Sequence, residues 1–196
     1  MIFKSNWTII SDKDPLFQQS HLLLCLLSLD KEKSIYVMML HHKREGRSSL
    51  MDRLTLAMAS IIVDKSLEKG REMGFAPLTV AVLDAGGQLK ALKREDNSSL
   101  IRPEIAMGKA WGVLGMGFGG RELARRAAKM PVFFGALSDM SGGRMVPVPG
   151  GVLIRSASGE ILGSVGVSGD SSENDELCAV YGIKAAGLKP DTGDKE

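Results

Sequence analysis

Histidine is missing from residue 43 onward: His21, His41 and His42 all fall in the first 50 of 196 residues. A Ser-His-Asp relay built from the later chain is thereby excluded, because it needs an imidazole to take and return the proton. A histidine-based zinc site is excluded there for the same reason. Cysteine is scarce too. Cys25 and Cys178 have no metal-ligand spacing and cannot make a multi-bridge framework, so a reducing, cytoplasmic setting fits best. Aromatic residues make up only 5% of the chain, and the net charge of +2 comes without a basic stripe. Base stacking and phosphate neutralisation both lack their means, so nucleic acid is not an expected partner. The longest apolar run, Leu22 to Leu27, is too short to span a bilayer. Acidic residues precede it and Asp30-Lys31-Glu32-Lys33 follows, which matches neither flank of a secretion signal. No membrane partner is expected.

What remains is ordinary globular composition, 44% hydrophobic and 24% charged, enough for one good core. It is unevenly organised. Residues 1–50 hold no sustained helical or strand period, whereas regular patterning starts near Met51. A poorly ordered leader, a separate docking segment or translated upstream sequence would each produce this contrast. The expectation favoured is the last, with Met51 as the true start; the intact mass of protein made from the native gene decides it.

Leu54, Ala57, Met58, Ile61, Ile62 and Leu67 fit an amphipathic helix that Gly74 closes. Two β-rich runs, 78–83 and 88–94, flank Asp84-Ala85-Gly86-Gly87 and predict a hairpin. Pro103 opens the next helix, where its missing N–H does no harm. A short helix from Glu122 to Met130 stops at Pro131, and a long ordered loop fills 131–150. A second hairpin, 152–155 with 161–167, turns at Ser158-Gly159. Ser171 or Ser172 caps a last helix, with Asp175 and Glu176 in its first turn, and 191–196 is a disordered tail. Hairpins, rather than alternating strands and helices, predict an α+β domain: an antiparallel sheet covered by helices over residues 51–190. Gly163, Gly166 and Gly169 mark places where backbone or ligand comes close.

Five patches in series resemble the GlcG/HbpS family of haem-binding-protein-like domains, also found in PduO-type proteins. They are Asp84-Ala85-Gly86-Gly87; Arg94-Glu95-Asp96; Pro103-Glu104-Ile105-Ala106 with Lys109-Ala110; Pro149-Gly150-Gly151; and Gly159 through Gly169 with Asp175-Glu176. The resemblance implies a profilin-like, five-stranded antiparallel sheet flanked by helices, assembled into homo-oligomers up to an octamer. It also implies a pocket by the Pro149-Gly150-Gly151 loop for haem or a small metabolite, and a link to catabolic pathways. The missing histidines disfavour haem as cofactor, since histidine is its usual axial donor.

Several residues are candidates for the site. Arg144, between Gly142-Gly143 and the Pro-Gly-Gly loop, has a guanidinium fork matched to a carboxylate. Arg102 faces either solvent or ligand. Lys109 is either a solvated cation or an ammonium at a pocket mouth that binds an anion or moves a proton. Glu104 and Asp175 either serve their helix dipoles or act as proton carriers. Cys178 reads as a buried, inert thiol. Two functions follow. The first is a small-molecule binding protein for haem or a carboxylate metabolite, in which Arg144, Arg102, Pro149, Gly150 and Gly151 bind. The alternative is a metal-independent isomerase, hydrolase or dehalogenase of aromatic-compound catabolism, acting on an unsaturated or oxo-carboxylic acid through Lys109, Glu104 and Asp175.

Overall fold

The computed structural model describes residues 53–194. The irregular leader, its Met51 start and the last two residues of the tail lie outside that range. Helix α1 (Leu56–Glu72) is capped by Thr55, whose side chain accepts from the Met58 amide. Strands β1 (Thr79–Asp84) and β2 (Leu89–Arg94) form the first hairpin. Three helices follow: α2 (Arg102–Met116), α3 (Gly120–Lys129) and α4 (Pro131–Met140). Strands β3 (Gly151–Arg155) and β4 (Ile161–Ser168) form the second hairpin. Helix α5 (Ser172–Ala185), capped by Ser171, leads to the short β5 (Lys189–Asp191).

The strands make one antiparallel sheet in the order β2-β1-β4-β3-β5. This is the α+β, five-stranded architecture expected. Alternation along each strand divides the core in two. Val80, Val82, Val152, Ile154, Val165 and Val167 pack under α1 and α5. Leu153 joins Val113, Leu123, Phe134 and Met145 on the opposite face, where α2 to α4 lie. No described helix is long and apolar enough to cross a membrane.

Helix α2 lies directly on the sheet because the sheet there has almost no side chains. Ala81, Gly166 and Gly151 are neighbours across β1, β4 and β3. A Cβ on Gly166 would sit 1.8 Å from the Ala106 carbonyl oxygen. The glycine spacing in β4 therefore serves backbone packing, not ligand access. Gly108 and Gly112 likewise face Val146 and Leu123, within the same chain.

Two expectations are corrected. Pro131 does not stop structure: it is the first residue of α4, where its fixed φ suits a helix start, so the long loop shrinks to 141–150. Residues 191–194 are not a loose tail either. Asp191 pairs with Leu153, the Arg121 amide donates to the Thr192 carbonyl, and the Asp194 carboxylate meets Arg121 and Arg125. Pro190 is tolerated because β5 is an edge strand.

Candidate functional site

Four of the sequence candidates converge beneath the Pro-Gly-Gly loop. Lys109, from the middle of α2, donates from Nζ to Asp175 Oδ2 at 2.7 Å and to the Val167 carbonyl at 2.9 Å. The other Asp175 oxygen accepts the Asp170 amide at 3.1 Å. Gly150 closes this group from above with φ +99°, and a Cβ there would meet Lys109 Nζ at 2.8 Å. Gly151 packs on the Lys109 carbonyl. Burial pushes the Asp175 carboxyl above its ordinary range, against the pull of the Lys109 ammonium. Arg102, half-buried, is one strand residue away: its Nη1 donates to Ser168 Oγ at 3.2 Å.

Pro149 belongs to the same loop, whereas Glu104 and Arg144 make no hydrogen bond with this group. Pro149 is half-buried in the loop, and Glu104 is exposed in the first turn of α2, where it favours the dipole. Arg144 is exposed. Its Nε donates to the Ser141 carbonyl at 2.9 Å, and its guanidinium lies 4.7 Å from the Trp111 ring centre. Both Nη groups lack a partner among the described residues. Trp111, half-buried, also touches the Asp84–Gln88 turn: its ring is 3.7 Å from the position of a Cβ on Gly87. Three separate stretches thus meet at an arginine laid on an indole. Sequence reasoning missed Trp111 as the platform, although one of only two tryptophans beside the Lys109 motif was a usable signal.

A second acid–base pair was also missed. Arg121, at the start of α3, donates from Nε to Glu176 Oε1 at 2.7 Å. Glu176 Oε2 is buried with no partner, and burial raises this carboxyl against the pull of Arg121. Two open cavities of about 370 Å³ lie elsewhere. One is on α3, between Glu122, Arg125, Arg126, Lys129 and Asp194. The other lies by the first hairpin turn, near Asp84, Lys90 and Leu162.

The described residues include no histidine to serve haem iron as an axial donor. Cys178 is buried and its thiol is pushed up to about 12, mainly by burial, so it is not a thiolate. Tyr181 is exposed, with Lys69 Nζ 5.3 Å from its ring centre, and Met145 is core. No cluster of three or more His, Cys, Asp or Glu capable of holding a metal ion occurs among the described residues.

Comparison with known proteins agrees with this architecture. Residues 54–184 match the model of the haem-degrading, HbpS-like proteins. Over 113 residues the chain is 29% identical to the corrinoid adenosyltransferase PduO of Citrobacter freundii, a match covering 58% of this chain and 33% of PduO. The chain thus spans about a third of that relative. A crystal structure of PduOC in complex with haem superimposes with a TM-score of 0.64 at 25% identity, covering 72% of this chain and 99% of the other. The crystal structure of HbpS gives 0.59 at 26% identity, covering 67% and 89%. The family match runs from α1 to α5, through the sheet and both helical layers, and the chain belongs to the HbpS-like family.

Proposed function

We propose that the chain is a binding protein for a planar, carboxylate-bearing small molecule. Arg144 carries that reading. Its guanidinium carbon lies 4.7 Å from the Trp111 ring centre while Nε donates to the Ser141 carbonyl, leaving its outer donors for a ligand. Stacking pre-orients the fork, so less freedom is lost when it grips a carboxylate. The half-buried indole and the glycine turn beside it would supply apolar contact to the edge of a ring. Haem, which PduOC holds in its crystal structure, is one such molecule. Here it would be held by its carboxylates and its plane, without an axial histidine from the described residues. A carboxylated aromatic metabolite from a catabolic pathway meets the same requirements. Arg102 and the Pro149-Gly150-Gly151 loop would act as supporting structure around Lys109.

The metal-independent enzyme reading gains nothing from the geometry. Lys109 and Asp175 satisfy each other in a closed space, and Glu104 is exposed to solvent with no hydrogen bond or ion pair to either. Assembly into a homo-oligomer remains part of the proposal: Val132, Phe133 and Met140 leave an exposed apolar strip on α4.

Titration of haemin and of metal-free protoporphyrin, followed by Trp111 emission in a Trp7→Phe background, tests the proposal. Both should bind with similar affinity, and Arg144→Ala should weaken both at least tenfold. One charge-assisted hydrogen bond of about 1.5–3 kcal/mol is enough for that. Undiminished binding by Arg144→Ala would sink the assignment.

A further inference from the structure

The Arg121–Glu176 pair is tied to no function above, and its geometry is incomplete. Arg121 uses Nε on Glu176, and its outer fork has no partner among the described residues. Glu176 is 5% exposed, yet its second oxygen has no donor. Leaving a buried acceptor unmade is costly, so such an atom marks a place where a donor belongs. Next to this pair, Asp194 lies between two arginines, 3.4 Å from Arg121 Nε and 3.4 Å from Arg125 Nη1. Those separations are longer than the roughly 2.7–2.9 Å of a good charge-assisted bond. Asp194 is also half-exposed and borders the α3 cavity of about 370 Å³, where three cations face two carboxylates.

We propose that Arg121 and Arg125 form a second ligand site, for a small hydroxycarboxylate, which Asp194 of the same chain occupies loosely in this structure. An incoming carboxylate replaces that of Asp194 between the two guanidiniums. A hydroxyl a few bonds away then donates to Glu176 Oε2. A hydroxyl suits this acceptor better than an ammonium, which is strongly hydrated and costs more to bring into a buried position. Lys129 and Arg126 add positive charge along the entry. The Asp194 contact becomes a self-inhibiting plug that the ligand displaces.

Calorimetric titration of the full chain with glycerate and with propionate tests this, because only glycerate carries the hydroxyl. Glycerate should bind at least tenfold more tightly than propionate. Asp194→Asn should strengthen both by about three- to tenfold through loss of the competing charge, as a fraction-competent equilibrium requires. Glu176→Gln should erase the preference for glycerate while keeping propionate binding. The proposal is overturned if Asp194→Asn leaves glycerate affinity unchanged or lowers it, if propionate matches glycerate, or if neither binds. Asp194 pairs with Arg121 and Arg125 whereas Arg144 contacts Ser141 and Trp111, so porphyrin binding in Asp194→Asn separates failure here from failure of the planar-ligand reading.

Discussion

Lys109 and Asp175, 66 residues apart in sequence, form an ion pair at 2.7 Å with side chains only 3% and 1% exposed. It joins α2 to α5 across the end of β4, directly under Gly150. Removing one partner strands the other charge in the core, which costs about 3–5 kcal/mol. Replacing both by apolar groups of similar size is often neutral by comparison. Lys109→Met should therefore lower the urea midpoint sharply, and Lys109→Met with Asp175→Leu should recover most of the loss. If the double variant is no more stable than the single, the pair is not the unit described.

Two glycine-to-alanine changes should move stability in opposite directions. Gly166 has no room: an added Cβ would stand 1.8 Å from the Ala106 carbonyl and 2.8 Å from the Ala110 amide. Lifting α2 off the sheet should cost at least the roughly 1–3 kcal/mol typical of overpacking. Gly115 sits in the last turns of α2, where a Cβ would make only ordinary contact with Trp111 at 3.6 Å. Alanine there should gain up to about 1 kcal/mol of helix propensity. Thermal melts of both variants check the signs.

The sequence carried the hairpins plainly, because alternation and turn residues are local signals. Thr79–Asp84 and Leu89–Arg94 pair as read, around Asp84-Ala85-Gly86-Gly87. It concealed α4, because a proline after a helix reads equally as a stop and as a new first turn. Phe134 and Leu137, one turn apart and both packed against the core of that face, were the better guide. Side-chain burial was harder still. Nothing local distinguishes a solvated Lys109 from one sealed by Asp175, nor a capping Glu176 from one held by Arg121. Each depends on which distant segment the topology lays alongside.

Cys178 should be inert in the native protein. It is fully buried among the residues under α1 and α5, and its thiol is pushed up to about 12 by burial and by the Asp175 charge. Thiolate is the reactive form, so alkylation at pH 8 should proceed only through opening of the fold. In a Cys25→Ser background, a disulfide reagent should label no thiol until urea is added. Rapid stoichiometric labelling without denaturant would contradict the placement of Cys178.

Stability should peak on the mildly acidic side of neutral. Burial raises the carboxyls of Asp175 and Glu176 above their unfolded values, which lie near about 3.9 and 4.3. A raised folded value means the folded chain holds the proton more tightly. The associated stability is complete below the unfolded value and is lost as pH rises through the folded one. Glu122 works the other way. Hydrogen bonds from Arg126 and then Arg125 hold it down at about 2, so its contribution is present above the ordinary glutamate range and fades as pH falls toward that value. The urea midpoint should therefore decline both above and below a maximum near pH 5. Glu176→Gln should flatten the upper limb, since an amide cannot titrate, while leaving the acid limb in place. A midpoint that still climbs from pH 5 to pH 8 in the parent chain would mean that Arg121 and Lys109 outweigh burial at both carboxylates.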